Sequence, residues 1–260
     1  MYVLEAMGTS ARVRPDYGCT IVSLVDEQAG ADLLWTTPDA KTRAVVDDDL
    51  LWDRSFESSF VGGWFPMTPT AGPPVGPVGW QHGEAARRAW SVVDRQPDSL
   101  HCRLGLRSAP LVIDRTITLR PRLLRASTVV RNVSDRAVRV TFGEHPCFDA
   151  WGLGIDSIAL GSARWALHGS PEHALFASQS ARIACTRRTG SITVDWSPTL
   201  SAALVWRRSD DIVAVEPKSF LGRAATLDQE TVVAAGDDVR WSVDVSWHLD
   251  LEHVSTGTPK

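Results

Sequence analysis

The sequence lacks the features of a membrane protein and of a nucleic-acid-binding protein. No stretch approaches the roughly eighteen consecutive apolar residues of a transmembrane helix, and the segment Met1–Met7 has neither the basic nor the apolar region of a signal peptide. We therefore expect a soluble, cytoplasmic protein with no membrane partner. Lys and Arg number 27 against 31 Asp and Glu, for a formal net charge of −4, so no basic field for nucleic acid is expected.

The few cysteines form neither a metal-binding nor a disulfide pattern. Cys19, Cys102, Cys147 and Cys185 lie far apart, and none belongs to a Cys-x-x-Cys or Cys/His zinc spacing. We expect buried, reduced thiols and no metal site. Tyrosine is also scarce, with two residues against eleven tryptophans. Tryptophan suits a protein core, and it also suits a groove that binds the apolar face of a sugar ring.

Helical periodicity is nearly absent, and alternation with a period of two runs through much of the chain. Residues 241–250 alternate between apolar and polar side chains without interruption, and the pattern recurs in 124–130, 138–142 and 192–196. Such alternation is typical of strands that bury one face. The chain has no internal repeat. These patterns predict an all-β fold, in which a single domain over residues 1–260 is a large antiparallel sandwich of two packed sheets.

One short segment has a helical signature, and one loop has an unusual composition. Ser170-Pro171 reads as an N-cap followed by proline at the first helical position, which predicts a short helix there. The Gly- and Pro-rich stretch 62–79 could be a linker, but it contains apolar side chains such as Trp64. We expect this stretch to be a loop that packs against the rest of the protein.

Three segments place ionisable side chains where chemistry could occur. The first contains His82, and the other two are strands that run into His145 and Glu216, each followed by proline. Because proline cannot donate to a sheet ladder, we expect strand ends or edges at these positions, where side chains become accessible. Parity along the strand places His145 on the opposite face from Phe142, pointing away from the core.

Several motifs occur in the order found in one known family. They are an opening hairpin within 11–35, His82-Gly83 followed by Trp90, Asn132-Val-Ser-Asp135, His145-Pro-Cys-Phe148 and Val215-Glu216-Pro217. In this ordered set the sequence resembles the aldose 1-epimerase, or galactose mutarotase-like, family. The resemblance implies a galactose mutarotase-like β-sandwich with little helix, whose open concave face binds a small-molecule sugar.

The resemblance also implies a cofactor-independent isomerase that interconverts the α and β anomers of an aldose. By the family pattern, His145 corresponds to the acid, Glu216 to the base, and His82 to a second histidine that binds sugar hydroxyls. A histidine with a pKa near 6.5 and a glutamate with a pKa near 4.3 suit these roles without a metal or an organic cofactor. The alternative for each histidine is a hydrogen-bonded residue at the rim, and for Glu216 a structural pair with an arginine.

The sequence departs from the family pattern at positions that the family uses to contact the sugar. Ala86 stands where arginine is usual, Cys147 replaces tyrosine, and the family's Asn-Arg contact and distal aspartate have no evident counterpart. Galactose is therefore not assumed, and another aldose, a modified sugar or a sugar phosphate remains open.

The expected sugar contacts are drawn from residues near the three segments. Arg87 and Arg88 are candidates to bind an anionic group, with solvated surface charges as the alternative. Phe148 and Trp64 complete the predicted substrate-binding set. For Trp64 we favour stacking on the sugar, because a loop over the exposed face of a sheet has little core to fill.

Two other functions remain open at this point. A non-catalytic carbohydrate-binding protein on the same fold would explain the missing sugar-contact residues. A lyase or hydrolase that acts on oligosaccharides is the third candidate. The sequence does not predict an oligomeric state.

Overall fold

The computed structural model describes residues 1–43, 60–73, 81–168, 170 and 172–250. Within these residues the chain forms two nine-stranded sheets and a separate two-stranded ribbon, and every strand pair in them is antiparallel. The predicted all-β sandwich is confirmed.

The first sheet has the order β1-β2-β3-β5-β11-β18-β17-β14, and β4 pairs with β3. Sequence-distant segments therefore meet at its centre. Its strands are β1 (Tyr2–Ala6), β2 (Thr9–Arg14), β3 (Thr20–Asp26), β4 (Ala31–Asp32), β5 (Trp64–Met67), β11 (Gly143–Asp149), β14 (His173–Phe176), β17 (Ala202–Ser209) and β18 (Ile212–Lys218).

The second sheet has the order β13-β12-β15-β16-β20-β9-β8-β7-β6. Its strands are β6 (Ser91–Gln96), β7 (Ser99–Gly105), β8 (Leu111–Arg120), β9 (Leu123–Asn132), β12 (Ile155–Leu160), β13 (Ala163–Ala166), β15 (Ser180–Cys185), β16 (Gly190–Trp196) and β20 (Asp238–Leu249). The ribbon pairs β10 (Val138–Val140) with β19 (Thr231–Val233).

Helix is confined to two short pieces in the described part of the chain. A 3₁₀ helix spans Glu84–Ala86, and α1 spans Ala150–Leu153. None of the described helices is long and apolar enough to cross a membrane. The helix predicted at Ser170 is wrong, since β14 begins at His173 and pairs with β17; Pro171 lies outside the described residues.

The main core lies between the two sheets, and the alternation in the sequence explains how it forms. In β20, Trp241, Val243, Val245 and Trp247 are buried on one face while their neighbours are at least partly exposed. Side chains of a strand alternate between faces, so this pattern turns one apolar surface of the second sheet towards the first. All four cysteines are buried free thiols, as predicted.

The central strands of the first sheet are buried on both faces. In β18, Val213 and Val215 pack into the main core, whereas Ile212 and Ala214 belong to a separate apolar cluster on the opposite face. That cluster also contains Phe65 of β5. The face opposite the main core, called the site face below, therefore carries an apolar cluster of its own.

A buried ion pair joins the two sheets beneath the site face. Arg115 of β8 donates from Nη1 to Oε1 of Glu144 in β11 at 2.5 Å, and both side chains are fully buried. The indole nitrogens of Trp64 and Trp241, one from each sheet, donate to the same carboxylate at 2.8 and 3.0 Å. A buried carboxylate needs several donors, and these come from both sheets, so Glu144 ties β11 to the second sheet.

Candidate active site

Cross-strand pairing brings two of the three ionisable residues into one row on the site face. Between β11 and β18, Gly143 pairs with Lys218 and Cys147 with Ala214, a register that puts His145 opposite Glu216. The neighbouring strands extend the row, because Phe65 pairs with His145, and Leu204 pairs with Glu216. Residues opposite each other in a sheet project from the same face, so these four side chains are neighbours.

The two prolines lie inside the sheet and not at its edge, which corrects the sequence-based expectation. Pro146 lies in the middle of β11 and Pro217 near the end of β18, and both strands are central in the first sheet. Pairing between these strands is interrupted between Gly143 and Cys147. Proline has no N–H to donate, so a gap in the ladder falls where His145 faces Glu216.

His145 and Glu216 form a close, buried pair. Nε2 of His145 lies 3.4 Å from Oε1 of Glu216, and each side chain is 3% exposed. Nδ1 of His145 lies 3.2 Å from Sγ of Cys147, which leaves Nε2 as the nitrogen that faces the carboxylate. Burial lowers the pKa of His145, and the negative charge of Glu216 opposes part of that change. Burial also raises the pKa of Cys147, which keeps it a neutral thiol.

His82 reaches the same place from a tight turn. Its backbone has a φ of +64°, and Gly83 after it has a φ of +74° and a ψ of 173°. A Cβ on Gly83 would lie 2.3 Å from the carbonyl oxygen of Thr68, so only glycine fits this close approach. The next residue, Glu84, is fully buried. Its carboxylate accepts hydrogen bonds from four donors: the backbone N–H groups of Arg107 and Ser108, the Ser108 hydroxyl and the Arg88 guanidinium.

The two histidine rings meet inside an aromatic cluster. The ring centroids of His82 and His145 are 5.1 Å apart, with an edge-to-face arrangement. Phe65 stacks on His145 at 4.6 Å, and Phe60 and Trp206 approach its edges at 6.0 and 5.8 Å. Burial is the main reason why the pKa of His82 is well below its ordinary value, and His145 and Lys218 add to the effect.

His82, His145, Phe60 and Trp206 line a cavity of about 270 Å³ on the site face. A volume near 300 Å³ is the lower end of the range for small-molecule sites. The cavity wall combines aromatic, apolar and ionisable groups, a mixture typical of small-molecule sites. Its described lining residues are Phe60, Gly72, Pro73, Gln81, His82, His145, His173, Leu204, Trp206, Glu216, Lys218 and Arg223.

The predicted sugar-binding set lies elsewhere, and its members do not line this cavity. Trp64 is fully buried in the main core, because odd and even residues of β5 face opposite sides and its indole donates to Glu144. Phe148 is buried in the same core by the same parity. The preference for Trp64 as a stacking residue is therefore wrong, and Phe148 is likewise a core residue.

The two adjacent arginines also have other surroundings. Arg88 is buried and donates to Glu84 at 3.1 Å, so it is neither an anion contact of the cavity nor a solvated surface charge. Arg87 lines a separate small crevice with Tyr17, Thr20 and Phe65, and burial lowers its pKa to about 10.

Sequence reasoning missed several cavity residues, and one of them, Lys218, could have been predicted from strand parity. Lys218 lies two residues after Glu216, so strand parity alone places both on the site face. Trp206 pairs with Ala214, and His173 pairs with Trp206, which puts both on this side of the sheet. Their part in the cavity depends on the strand order, which the sequence did not reveal. Among the described residues, no group of three or more His, Cys, Asp and Glu is arranged to hold a metal ion.

Comparison with known proteins finds relatives by structure only. No family model matches the sequence, and no curated protein matches it. Solved structures match nearly the whole chain at low sequence identity. The Slr1438 protein from Synechocystis sp. PCC 6803 has a TM-score of 0.75 and 18% identity over 96% of each chain.

Two further neighbours carry names that describe a fold and an enzyme class. A galactose mutarotase related enzyme from Lactobacillus acidophilus has a TM-score of 0.73 and 12% identity, over 96% of this chain and 98% of its own. A galactose mutarotase-like protein from Lactobacillus casei ATCC 334 has a TM-score of 0.72 and 17% identity, over 95% of this chain and 100% of its own. At such identities the likeness shows the fold: the chain has the galactose mutarotase-like fold.

Proposed function

We propose that this protein is a cofactor-independent aldose 1-epimerase that interconverts the α and β anomers of an aldose. The observation that supports it best is the buried pair in which Nε2 of His145 lies 3.4 Å from Oε1 of Glu216. The pair lines a cavity together with His82, and the names of the structural neighbours favour the same chemistry.

The reaction needs one acid and one base. In ring opening, Glu216 takes the proton of the C1 hydroxyl while the His145 imidazolium protonates the ring oxygen, and the bond between C1 and that oxygen breaks. Rotation about the C1–C2 bond turns the aldehyde. On closure, His145 takes back the proton from the attacking hydroxyl and Glu216 returns its proton to the carbonyl oxygen. Each group ends the cycle as it began, and general acid–base catalysis accounts for the rate.

The placement of the pair fits this requirement. The ring oxygen and the C1 hydroxyl are bonded to the same carbon, so an acid and a base that line the same small cavity can reach both atoms. Oε2 of Glu216 is buried and has no hydrogen-bond partner among the described residues, which leaves it available to a substrate hydroxyl. Burial lowers the pKa of His145, so its imidazolium is a stronger acid than an exposed one, and the negative charge of Glu216 beside it favours the protonated form that the reaction requires.

The rest of the cavity would bind and orient the sugar. His82 faces His145 from a rigid turn, where it can hydrogen-bond a sugar hydroxyl and hold the ring against the pair. The rings of Phe60 and Trp206 suit the apolar C–H faces of a pyranose.

The proposal is tested by saturation transfer in NMR between the anomers of candidate aldoses, with and without a catalytic amount of protein. Enhanced exchange for at least one aldose supports an epimerase. Line broadening without enhanced exchange would instead indicate a non-catalytic carbohydrate-binding protein, and release of new sugars from oligosaccharides would indicate a lyase or hydrolase.

A further inference from the structure

The described wall of the cavity carries more positive than negative charge, and a neutral sugar does not require this excess. Among the described lining residues, Glu216 is the one carboxylate, whereas Lys218 and Arg223 both carry a positive charge. No aspartate is present among them to receive the distal hydroxyls of a neutral sugar. If Glu216 serves as the base at C1, two cations remain for another part of the substrate.

Lys218 is a buried cation held in one position. Its side chain is fully buried, and Nζ donates to the carbonyl oxygen of Gly222 at 2.7 Å while lying 4.8 Å from the centre of the Phe220 ring. An ammonium group has three donors, and no ion pair joins Lys218 to a carboxylate within the described residues. A buried cation is costly unless it is paired, so an anion in the cavity would stabilise it.

Arg223 brings the second positive charge to the mouth of the cavity. It is exposed, and its guanidinium makes no hydrogen bond or ion pair with another described residue. Its carbonyl oxygen packs closely against Gly72, and the adjacent Gly222 accepts the hydrogen bond from Nζ of Lys218. Burial lowers the pKa of Lys218; the charge of Glu216 opposes this change and the charge of Arg223 adds to it.

The distance along β18 fits one sugar unit. Lys218 follows Glu216 by two residues on the same face, which is about 6–7 Å in a strand. A pyranose with C1 at Glu216 and His145 can therefore present the substituent at the far side of its ring to Lys218. Arginine binds phosphate and carboxylate in a bidentate manner, so Arg223 can share the same group.

We propose that the substrate is an aldose that carries an anionic group, a phosphate ester or a carboxylate, on the side of the ring distant from C1, and that Lys218 and Arg223 bind this group. This substrate class rests on the proposed epimerase function for its chemistry. Arg87 and Arg88, the arginines expected from the sequence, lie outside the cavity and take no part in it.

The test compares matched probes that differ only in charge. Glucose and galactose are each measured beside their 6-phosphates and their uronates, with binding by calorimetry and anomer exchange by NMR. A charge-assisted site should bind at least one anionic probe about 10- to 100-fold more tightly than its neutral parent. A preference for the 6-phosphates alone identifies a phosphate ester as the group, and a preference for the uronates alone identifies a carboxylate. Equal affinity within every matched set would overturn the proposal.

Variants assign the effect to the two cations. In Arg223→Ala the anionic probe should lose at least tenfold more affinity than its neutral parent. Arg240→Ala removes the same charge from an exposed position on β20 in the other sheet and should change neither. An anionic preference that survives unchanged in Arg223→Ala would contradict the assignment.

A second variant tests Lys218, and a salt series on the wild type tests the anion site even if that variant does not fold. Lys218→Met keeps the length of a buried side chain and should also reduce the anionic preference. If that variant does not fold, the wild-type affinity for the anionic probe must still weaken between about 0.02 and 0.5 M NaCl, while affinity for the neutral parent stays constant. Anionic preference in binding with no exchange for any probe would reject the epimerase and keep the anion site. Equal exchange and equal affinity for neutral and anionic probes would keep the epimerase and reject the anion site.

Discussion

At the scale of single residues, the site depends on groups that are kept from water. The His145 ring is stacked on Phe65 and contacted at Nδ1 by the neutral thiol of Cys147, so its orientation is set by packing. Cys147 belongs to the apolar cluster of the site face, and its contact with Nδ1 leaves the other ring nitrogen, Nε2, to face Glu216.

Trp64→Ala tests whether this tryptophan belongs to the core. Truncation removes a large, fully buried side chain and one donor to the buried Glu144 carboxylate. We expect the free energy of unfolding to fall by about 3–5 kcal/mol, with a melting temperature lower by on the order of 10 °C. Sugar affinity, measured well below the melting transition, should change little because Trp64 does not line the cavity.

Trp64→Phe is the matched control, because it keeps most of the volume and removes the indole donor. Its loss of stability should be smaller than that of the alanine variant. An alanine variant with unchanged melting temperature and weakened sugar binding would return Trp64 to the site.

At the scale of elements, the turn that carries His82 is built around the residue that follows it. Gly83 combines a backbone conformation that is open essentially to glycine alone with a close approach to Thr68. Gly83→Ala should therefore displace the His82 ring, destabilise the protein by more than about 1–3 kcal/mol and weaken sugar binding or turnover. Unfolding by urea and the anomer-exchange rate, measured on one preparation, give both quantities.

Gly236→Ala separates the strain of the backbone from the close approach. Gly236 has a φ of +77°, but an added Cβ there would meet no atom within 4 Å. We expect a loss of stability of about 1–2 kcal/mol and normal activity in this variant. Equal effects of the two alanine substitutions would show that the contact with Thr68 does not hold His82 in place.

The strands were predictable and their order was not. Alternation in 241–250 and 124–130 matches β20 and β9, where one face is buried and the other meets water. Around Trp64 both faces are buried, so the alternation disappears and a central strand, β5, resembles an apolar loop. Pro146 and Pro217 led to a second error: they indicated strand ends or edges, but both lie within central strands next to the site.

The candidate site was likewise predictable in part: residues within its motifs could be found from the sequence, and residues brought in by the strand order could not. His82, His145 and Glu216 came from their segments and the family resemblance, and the structure brings all three to one cavity. Lys218 could have been found by parity from Glu216. Arg223, His173 and Trp206 reach the cavity through pairings between segments distant in sequence, which a single sequence does not specify.

At the scale of the whole molecule, the main core and the cavity are built from opposite faces of the same central strands. β11 presents Glu144 to the ion pair between the sheets and His145 to the cavity on the other face. The second sheet therefore helps to fix the position of β11, and with it His145, without contributing any side chain to the described cavity wall.

Burial of the two histidines should make the fold sensitive to mild acid. Their pKa values are lowered in the folded protein, so below about pH 6.5 the unfolded chain binds protons that the folded chain does not. The contribution of the two histidines to the free energy of unfolding is fully present above about pH 6.5. It is lost as the pH falls towards their folded pKa values, by at most about 1.4 kcal/mol per pH unit for each histidine.

Urea unfolding at pH 7.5 and 5.5 measures this loss. His82→Gln should show a smaller difference between the two pH values than the wild type, because one of the buried groups no longer titrates. His248→Gln removes an exposed histidine and should leave the difference unchanged. A wild-type stability that is the same at both pH values would contradict the account.

The central claim is that Glu216, paired with His145, moves the proton at C1, and Glu216→Gln tests it most directly. The amide keeps the size of the side chain and removes the proton acceptor. On an aldose that the wild type anomerises, NMR exchange should fall by about 10²–10⁴-fold, while the dissociation constant measured on the same variant changes by only a few fold. Undiminished exchange in Glu216→Gln would contradict the claim.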